Sequence, residues 1–466
     1  MPGPTQRSRA AFLSRPPNHT AGGARTNPDG IVVIGGGWAG LAAAAELARH
    51  GRKPVVLEAG RSLGGRARTL RFGPLVVDNG QHLLLGAYRS VLSMLQTLGI
   101  PEREVLRRTS LELTMKSTLG AEVRLQTRRL PAPLHLLWAL ASTGDLSMSA
   151  RLAALRLLRR ARRARFDVRP DIALSYYLRR CGQPAETTRA LWQPLCRAAL
   201  GTPIERASTR LFLHVLRDLL VGRRAQSDLL LPIRPLVDCL PRPAAEFIEA
   251  HGGSVRVGTR VHTIDVGDDG AVTGVQLRDQ TLSARQVLIA TAPEPAAMLL
   301  RDHNATADLA SRLERIELHP VYTLYLEYPS TVELPQVLVG VLDGTVQWLV
   351  DHGRLNGRRG LLAAVIGGPG AHTLLSNDAL TSLFLADIAR LYPDWPAPLS
   401  THLIREKRAT LAATTELEAL RPRSITPIKG LWLAGDYTSA GYPSSLEAAV
   451  RSGIVAARRI LREPPR

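Results

Sequence analysis

The chain has 466 residues, 45% of them apolar, which is enough for two or three domains with a sizeable core. Its formal net charge of +20 is carried almost entirely by Arg, because only four residues are Lys, and it predicts attraction to anionic surfaces without indicating nucleic acid as a partner. The three cysteines form no CxxC pair, which fits a reducing, cytoplasmic compartment and excludes a cysteine-built metal site, and no apolar run is long enough to predict a membrane-spanning helix.

The N-terminal part of the chain begins with a segment of distinct composition and continues into a β-α-β pattern. Residues 1–27 are rich in Arg, Pro and Gly and have no long apolar segment, so we expect a disordered leader. The run IVVI at 31–34 predicts a buried strand, 41–50 has helical composition, and VVLEA at 55–59 predicts a second strand.

Longer helical and strand-rich stretches follow. Residues 131–220 have a helical pattern throughout, three strands are predicted at 252–266, 271–277 and 284–293, and 321–366 is strand-rich again. Residues 430–460 predict a strand, a loop and a final helix. This alternation of strands and helices indicates an α/β protein.

The motif GGGWAG at 35–40 places three glycines in the GxGxxG spacing between the first strand and the first helix. Gly35 would make the tight turn, Gly37 would let the backbone approach a pyrophosphate, and Gly40 would let helix and strand pack closely. Glu58 ends the second strand and would accept hydrogen bonds from ribose hydroxyls. A structural Gly-rich turn is the alternative, but the surrounding strand, helix and acid favour a dinucleotide site. The predicted contacts of this unit are Gly35, Gly37, Trp38, Ala39, Gly40, Glu58 and Ala59.

Three further motifs resemble those of the flavin amine oxidase and phytoene desaturase superfamily. SLGGRARTL at 62–70 resembles the GGR extension that follows the ribose acid, and LAGDYTSAGYPSSLEAAVRSG at 433–453 resembles the superfamily's closing motif. RVHTI at 260–264 is similar to the strand whose backbone contacts adenine, at Val261 in this chain. The motifs occur in the superfamily's order, so the resemblance implies FAD rather than NAD as the cofactor.

The resemblance also implies roles for single residues. Arg66 would help to hold the pyrophosphate, and Asp436 would meet the ribityl or phosphate portion. The N-terminus of the last helix, around Ser445 and Leu446, would face the flavin ring, where its positive dipole stabilises negative charge on the reduced ring. The cofactor contacts implied outside the first β-α-β unit are Gly65, Arg66, Gly80, Val261, Gly435, Asp436, Ser445 and Leu446.

The stretch DNGQHLLLGAY at 78–88 sets polar groups directly against three leucines. In the superfamily this part of the chain runs beside the flavin. Asp78, Asn79 and Gly80 would then contact the cofactor and turn the backbone. Gln81 and His82 would point at the reacting edge, and the leucines would begin an apolar pocket. A hydrogen-bonded structural role is the alternative for His82.

A closer resemblance is carried by three segments, DNGQHLLLGAY (78–88), LWQPLCRAALGTPIERAS (191–208) and DLLLPIRPLVDCLP (228–241). Together they resemble the squalene-associated FAD-dependent desaturases, which are the hydroxysqualene dehydroxylases of bacterial hopanoid pathways. The resemblance extends from the first strand to the last helix. Two positions depart from the family pattern. Gly201 replaces a usual Asn, which bears on the substrate pocket, and Ala448 replaces a usual Gly in the last helix.

The family resemblance implies reduction of the allylic alcohol hydroxysqualene to squalene, with consumption of FADH2 and loss of water. The reaction needs an acid to protonate the departing hydroxyl, a hydride from the flavin, and a pocket dry enough to protect an allylic cation. His82 is the candidate acid, because the ordinary pKa of histidine lies near neutrality. Gln81 and Asp78 complete the predicted catalytic group, and Tyr437 and Tyr442 are further candidates.

The resemblance implies a discontinuous, glutathione-reductase-like FAD-binding Rossmann domain joined to a mixed α+β substrate domain. We assign 28–105, 225–300 and 400–466 to the FAD-binding domain and 106–224 and 301–399 to the substrate domain, with the active site between them. No metal site and no NADPH fingerprint is predicted, and the oligomeric state stays open.

Two neighbouring stretches predict contact with a membrane surface. RLAALRLLRRARRAR at 151–165 has seven Arg and no acid, with leucines at helical spacing, and LHLLWALA at 134–141 is strongly apolar. A hydrophobic polyisoprenoid substrate would be drawn from a membrane, so we expect a peripheral patch on the anionic inner face of the cytoplasmic membrane. A solvated Arg face on a core helix is the alternative.

Three other functions compete with the dehydroxylase. A carotenoid-type desaturase would use the same fold and cofactor in the oxidising direction, and only the substrate-domain motifs disfavour it. A flavin amine oxidase would need an aromatic cage, but only 5% of the residues are aromatic, and Trp348 would either line a pocket or occupy the core. A non-catalytic nucleic-acid binder would leave the cofactor motifs unexplained, and no nucleic-acid-binding motif is present.

Overall fold

The computed structural model describes Asn27, residues 29–128 and residues 130–463. The leader predicted at 1–27 therefore lies, apart from Asn27, outside the described residues. Within the described ranges, no helix is both long and apolar enough to cross a bilayer.

The described residues form α-helices and β-strands in alternation, with one π-helical turn at Thr188–Trp192. The helices are α1 (Trp38–Arg49), α2 (Arg89–Thr97), α3 (Glu102–Val105), α4 (Leu134–Ser142), α5 (Met148–Arg163), α6 (Leu174–Arg180), α7 (Ala185–Thr187), α8 (Gln193–Leu200), α9 (Thr209–Leu220), α10 (Leu236–Cys239), α11 (Pro241–Ala250), α12 (Pro293–Leu300), α13 (Ala307–Glu314), α14 (His352–Asn356), α15 (Asn377–Leu391), α16 (Leu417–Leu420) and α17 (Leu446–Ile460). The strands are β1 (Ile31–Ile34), β2 (Val55–Leu57), β3 (Thr69–Phe72), β4 (Leu75–Asp78), β5 (Leu84–Leu85), β6 (Leu106–Thr109), β7 (Glu112–Lys116), β8 (Glu122–Gln126), β9 (Leu229–Pro232), β10 (Ser254–Arg256), β11 (Thr263–Val266), β12 (Val272–Gln276), β13 (Thr281–Ser283), β14 (Gln286–Ile289), β15 (Leu318–Glu327), β16 (Leu338–Val341), β17 (Trp348–Asp351), β18 (Leu361–Gly367), β19 (Ser400–Leu411) and β20 (Leu431–Leu433).

A parallel sheet carries the β-α-β unit that the N-terminal pattern predicted. Its strand order is β10-β2-β1-β14-β20, and α1 connects β1 to β2. Strands β1 and β2 consist of Val, Ile and Leu and are fully buried, as central parallel strands require. The predicted α/β fold class is confirmed. These strands fall within 28–105, 225–300 and 400–466, while the domain boundaries themselves remain a prediction.

Helices α1 and α17 pack closely because a glycine lies at their contact. A Cβ on Gly453 of α17 would overlap the carbonyl oxygen of Ala39 in α1. An ion pair reinforces the contact, since Arg458 Nε lies 2.9 Å from Glu46 Oε1. This packing fixes the last helix relative to the glycine turn that begins the first one.

A second, larger sheet packs against the β3–β4 hairpin and the DNGQH loop that follows it. Its strand order is β19-β15-β18-β17-β16-β7-β8, and it is antiparallel except where β16 runs parallel to β7. One face packs on α15 through Leu380 and Phe384, and the other meets the β3–β4 hairpin through Leu75 and Val77. Residues 400–411, grouped from sequence with the FAD-binding segments, form the edge strand β19 of this sheet.

The segment 252–266, predicted as one strand, divides into two strands in different sheets. Gly258 has φ +67 and turns the chain. Strand β10 therefore ends in the parallel sheet, whereas β11 pairs with β12 in a three-stranded sheet. The expectation that RVHTI at 260–264 is a continuous strand was wrong for residues 260–262, which lie in the connection. The helices predicted within 131–220 are confirmed as α4 to α9.

Candidate active site

A glycine turn connects β1 to α1 and leaves backbone donors available. Gly35 has φ +112, and a Cβ there would lie 2.8 Å from the carbonyl oxygen of Ala290. A Cβ on Gly40 would overlap the carbonyl oxygen of Gly35. Gly37 is the N-cap of α1, and no side chain caps the helix. The first amide groups of α1 can therefore donate to an anionic ligand, as a pyrophosphate requires.

The other predicted contacts of this unit differ in exposure. Trp38 is buried and its Nε1 donates to Ala67 O at 3.2 Å. Ala39 is also buried, at the contact with Gly453. Ala59, after the second strand, is exposed. The side chains of Trp38 and Ala39 serve packing, so only their backbone amides can contact a cofactor.

The carboxylate of Glu58 is fixed at the end of β2. It accepts hydrogen bonds from Gly36 N and Gly60 N, each at 2.6 Å. The connection that contains Val261 runs beside it, because Thr259 N donates to Glu58 O at 2.8 Å. The residues predicted to contact the ribose and the adenine are thus close together, which fits one nucleotide site.

The GGR segment lies directly on the glycine turn. Gly64 N donates to Gly36 O at 2.9 Å, and a Cβ on Gly65 would lie 3.2 Å from the Cα of Gly37. Gly65 also has φ +63, so both its conformation and its surroundings favour glycine. Arg66 is consequently placed beside the end of β1, where the resemblance implied a pyrophosphate contact.

Arg66 and Asp436 form an ion pair, although their motifs are 370 residues apart along the chain. Ser444 Oγ donates to the second oxygen of the Asp436 carboxylate. Burial alone would raise the pKa of Asp436, but Arg66, Ser444 and the guanidinium of Arg421 outweigh burial and lower it. Two predicted cofactor contacts therefore meet as a charged pair with a fixed carboxylate.

The last helix begins next to this pair. Ser445 is the N-cap of α17, and its Oγ accepts from Ala448 N at 3.2 Å. Leu446 is the first helical residue. Gly435 N donates to Ser452 Oγ at 2.8 Å, which ties the end of β20 to the helix. Ala448, where the family usually has Gly, is fully buried and donates to the cap, so the replacement keeps the helix start intact.

Asp78 and Gln81 hold the DNGQH loop against its neighbours. Asp78 Oδ1 accepts from Thr69 Oγ1 at 2.7 Å and from Leu236 N at 2.9 Å. Tyr325 Oη on β15 donates to the backbone oxygen of Asp78 and accepts from Gln81 Nε2, both at 2.8 Å. Burial raises the pKa of Asp78 to about 6. Both side chains thus have partners within the protein.

Asn79 joins the same loop to the GGR segment. Its Oδ1 accepts from Arg68 N at 3.0 Å, and its Nδ2 donates to Arg66 O at 2.8 Å. These bonds use backbone groups that a cofactor does not need, and they set the position of Arg66. Asn79 therefore holds the GGR segment, and with it the predicted cofactor contact Arg66, in place.

His82 and Thr323 present unpaired polar atoms beside Gly80. His82 Nε2 and Thr323 Oγ1 are both buried and have no hydrogen-bond partner among the described residues. A Cβ on Gly80 would lie 3.8 Å from His82 Nε2 and 3.9 Å from Thr323 Oγ1, so the two atoms border one small space. Burial lowers the pKa of His82 to about 4, so its imidazole is neutral at pH 7. Sequence reasoning missed Thr323, because VYTLYLEY has the pattern of an ordinary strand.

Thr323 belongs to a row of side chains on one face of the larger sheet. It lies opposite Val365 on β18 and Ile404 on β19. Trp348 on β17 lies opposite Val365. Side chains that lie opposite across paired strands share a face of the sheet. Tyr325, two residues further along β15, is on this face and contacts the DNGQH loop, so Trp348 belongs to an apolar wall on the side of that loop.

The two tyrosines considered as acids occupy the loop before α17. Tyr437 is fully buried, and its hydroxyl has no partner among the described residues. Tyr442 Oη donates to Asp218 Oδ2 at 2.8 Å. Burial raises the pKa of both phenols, so both keep their protons. Arg421 supports the loop by donating to Ser439 O and Tyr442 O, each at 2.7 Å, and no local motif marked it.

Gly201, which departs from the family pattern, ends α8 in the left-handed conformation with φ +57. Asn is the other residue that commonly adopts this conformation at a helix end, so the replacement preserves the backbone. A Cβ there would lie 2.7 Å from Thr410 Cγ2. An Asn would therefore require Thr410 on β19 to move, which makes this a difference in packing.

The arrangement fits a bound FAD. A Cβ would clash with backbone at Gly35 and Gly40 but not at Gly37, and the N-terminus of α1 has open amide groups. Glu58 and Arg66 both lie close to the turn. In the part of the chain that the structure describes, no group of three His, Cys, Asp or Glu is placed to hold a metal ion.

Comparison with known proteins gives one family and two kinds of relative. The chain matches the family model described as flavin containing amine oxidoreductase over residues 38–461. It is 30% identical to the hydroxysqualene dehydroxylase of Rhodopseudomonas palustris over 455 residues, which is 92% of this chain and 98% of that protein. It is 25% identical to the 15-cis-phytoene desaturase of Solanum lycopersicum over 476 residues, which is 97% of this chain and 81% of that protein.

A solved structure shows the same fold. The cyclohexylamine oxidase of Brevibacterium oxydans superposes with a TM-score of 0.67 at 19% sequence identity. The match covers 93% of this chain and 99% of that one. At this identity the likeness concerns the fold and carries no information about the substrate.

Proposed function

Because the chain belongs to the flavin containing amine oxidoreductase family and is similar to two hydroxysqualene dehydroxylases over more than 90% of its length, we propose that it reduces hydroxysqualene to squalene. It is an FAD-dependent oxidoreductase, as its motifs predicted. The proposal rests on one observation, the DNGQH loop that Tyr325 holds against β15, because this contact sets His82 beside the apolar wall of the larger sheet.

Reduction of an allylic alcohol removes the hydroxyl group as water and puts hydrogen in its place. FAD, when bound and reduced, supplies the hydride. The chain itself must hold the hydrocarbon, keep other water away from the allylic carbon, and bring a proton to the departing oxygen. Trp348 and Val365, which are both partly exposed and lie opposite each other, offer the apolar surface that the first two tasks require.

His82 has the properties that proton delivery requires. Its Nε2 is buried and has no hydrogen-bond partner among the described residues, and Thr323 Oγ1 borders the same small space. With a pKa lowered to about 4, the protonated imidazole is a strong proton donor that is scarcely populated at pH 7. Turnover should therefore increase as the pH falls toward that value.

A carotenoid-type desaturase is the second candidate. The relative from Solanum lycopersicum favours it, because the similarity extends over 97% of this chain. A desaturase would withdraw hydrogen from a polyisoprenoid and leave the flavin reduced. The dehydroxylase would consume the reduced flavin, so the direction of the redox change separates the two candidates.

The decisive experiment is a single anaerobic turnover. The purified flavoprotein is reduced with dithionite, hydroxysqualene is added in detergent, and the flavin absorbance and extracted lipids are followed. Reoxidation of the flavin with an equal amount of squalene is expected. A flavin that stays reduced with the alcohol recovered unchanged, together with bleaching of the oxidised flavin by phytoene, would replace the proposal with the desaturase.

A further inference from the structure

We propose that helices α4 and α5 dock the protein on the surface of an anionic lipid bilayer. The docking hairpin, defined as residues 134–163, comprises both helices and the loop between them. This inference goes beyond the proposed reaction, because docking requires neither the substrate nor a change in the flavin. The vesicle-binding test can therefore fail while the proposed reaction holds, and the proposed reaction can fail while the protein still binds vesicles.

Large apolar side chains on the hairpin are exposed in pairs. On α4, Leu134 is 54% exposed and Trp138 is 42% exposed. On α5, Met148 is 61% exposed and Leu152 is 43% exposed. The two members of each pair are four residues apart, so each pair lies on one face of its helix. Four such side chains on two adjoining helices exceed the isolated apolar residues of an ordinary surface.

A hydrogen bond brings the two exposed faces together. Arg151 Nη1 in the first turn of α5 donates to Ala141 O in the last turn of α4 at 3.0 Å. Trp138 lies about one turn before Ala141, and Leu152 follows Arg151 directly. The exposed pairs therefore flank the contact between the helices and form one patch.

The opposite faces of both helices are part of the core. Ala139 and Leu140 of α4 and Ala154 and Leu157 of α5 are buried. Packing in the core thus explains the buried apolar residues of the two helices, but not the four large apolar side chains that are exposed. The alternative of a core helix with a solvated Arg face explains Leu157, but it does not account for the exposure of Trp138 and the other large apolar side chains.

Exposed arginines continue the surface of α5 beyond Leu152, and no ion pair within the described part of the chain compensates their charge. The ion pairs found among the described residues do not include the exposed arginines of α5. The guanidinium of Arg128 lies 4.9 Å from the ring centre of Trp138, which holds a cation at the ring face. The uncompensated exposed cations of α5 are Arg156, Arg159, Arg160, Arg162 and Arg163.

The acids near the hairpin already have partners. Glu186 accepts from Ser147 N at 2.8 Å and from Ser147 Oγ at 2.6 Å, at the start of α5. Asp145 accepts from Arg124 N at 2.9 Å. Neither carboxylate forms an ion pair with the arginines of α5, so the patch presents a net positive charge.

A lipid surface fits this patch better than a nucleic acid does. The phosphate groups of both ligands would attract the arginines. Acyl chains would also cover Leu134, Met148 and Leu152, for which a phosphate backbone offers no apolar partner. Trp138 with its neighbouring cation has the amphipathic character of residues at the level of lipid headgroups.

The first test is sedimentation of the full-length flavoprotein with vesicles. Vesicles of phosphatidylcholine alone are compared with anionic vesicles that contain about 30 mol% phosphatidylglycerol, both at low and at high salt. Binding to the anionic vesicles that weakens with salt is expected. The variant Arg156→Gln/Arg159→Gln/Arg163→Gln should bind on the order of 100-fold more weakly, as three interfacial cations imply.

Matched controls separate the patch from total charge and total hydrophobicity. One control removes three exposed arginines elsewhere. Another removes two exposed leucines outside the hairpin, and it is compared with a test variant that removes two exposed apolar side chains, one Leu and one Met, from the hairpin. Only the hairpin variants should lose binding. The control variants are Arg103→Gln/Arg278→Gln/Arg423→Gln and Leu374→Ser/Leu399→Ser, and the apolar test variant is Leu134→Ser/Met148→Ser.

A second measurement reports the depth of the contact. Lipids with brominated acyl chains should quench the tryptophan fluorescence of the wild-type protein, and the Trp138→Phe variant should lose that quenched component while still folding. Equal loss of vesicle binding in hairpin and control variants would overturn the proposal. The proposal would also be overturned if the protein bound double-stranded DNA but not the vesicles, and if the three-arginine hairpin variant abolished that DNA binding.

Discussion

Single residues of the DNGQH loop divide into those with partners and one without. Asp78, Asn79 and Gln81 all form hydrogen bonds within the protein. His82 Nε2 forms no hydrogen bond with any described residue, and leaving a buried polar atom unpaired costs about 1–3 kcal/mol. Thr323 carries a second such atom in the same space. Both atoms border the space next to Gly80, so both are available to bond to a ligand there.

Replacing His82 with Ala should slow hydroxysqualene reduction by roughly 100-fold to 10,000-fold, the usual contribution of a general acid. Flavin content should not change, because no predicted cofactor bond uses the imidazole. Wild-type turnover should also increase from pH 8 to pH 5, since more His82 becomes protonated as the pH approaches about 4. The rate is measured by anaerobic reoxidation of reduced flavin. A variant with bound flavin and full turnover would dismiss the acid role.

Asp78 offers a test of structure against catalysis. Its folded-state pKa is raised to about 6 by burial, so the protonated form is favoured by folding. The resulting stabilisation is fully present below the ordinary pKa near 4 and is lost as the pH increases through 6. Asp78→Asn keeps the oxygen that accepts from Thr69 and Leu236. We expect a higher urea midpoint than wild type at pH 8 and an equal one at pH 4.

The same variant has a second readout. Turnover of Asp78→Asn should stay close to the wild-type value, because the side chain already has partners on both β3 and α10. Loss of turnover at unchanged stability would instead support the catalytic role that the sequence predicted for Asp78.

At the scale of whole elements, close approach through glycine determines how the FAD-binding parts assemble. Gly40 lets α1 start directly beneath the turn after β1, and Gly453 lets α17 approach α1. Gly435 has φ +145, and its N–H reaches Ser452 in α17. The first and last helices are therefore held together by backbone contacts, with little side-chain volume between them.

Gly453→Ala should separate these two helices. The added methyl group would overlap the carbonyl oxygen of Ala39, and such overpacking typically lowers the free energy of unfolding by about 1–3 kcal/mol. Flavin occupancy should fall as well, because the start of α17 moves away from the glycine turn. Gly144→Ala is the matched control, since a Cβ there meets nothing within 4 Å. Chemical denaturation and flavin absorbance of both variants check the expectation.

At the scale of the whole molecule, the site is assembled from parts that are distant along the chain. Arg66 pairs with Asp436, and Tyr325 of the larger sheet bonds to Asp78 and Gln81. A bound dinucleotide would bridge several of these segments at once. The cofactor should therefore contribute to the stability of the complete fold as well as to the chemistry.

Removal of the flavin should lower the thermal midpoint of the protein. Ligand linkage predicts a stabilisation of about 2.7 kcal/mol when free FAD is present at 100 times its dissociation constant. Adding FAD back should restore the midpoint. Riboflavin should not, because it lacks the pyrophosphate and adenosine that the α1 N-terminus and Glu58 would bind. Equal stabilisation by riboflavin would show that the nucleotide half of the site is not used.

Local spacing in the sequence was enough to predict the β-α-β unit, the glycine turn with Glu58 and the helical region at 131–220, and the resemblance of the motifs to a known superfamily predicted the family. These features depend on residues that are neighbours along the chain. A glycine with positive φ, an apolar strand and a helix start each carry their own physical requirement.

The sequence by itself thus determined the cofactor class and the fold class, whereas only the tertiary structure decided which side chains meet. In the folded protein Thr323 lies beside His82, and Arg66 forms an ion pair with Asp436. Gln81 donates a hydrogen bond to Tyr325, and β19 belongs to the larger sheet. The tertiary structure also divided 252–266 between two sheets at Gly258. The physical reason is that such contacts follow from strand register and the packing of distant segments, which local spacing does not encode.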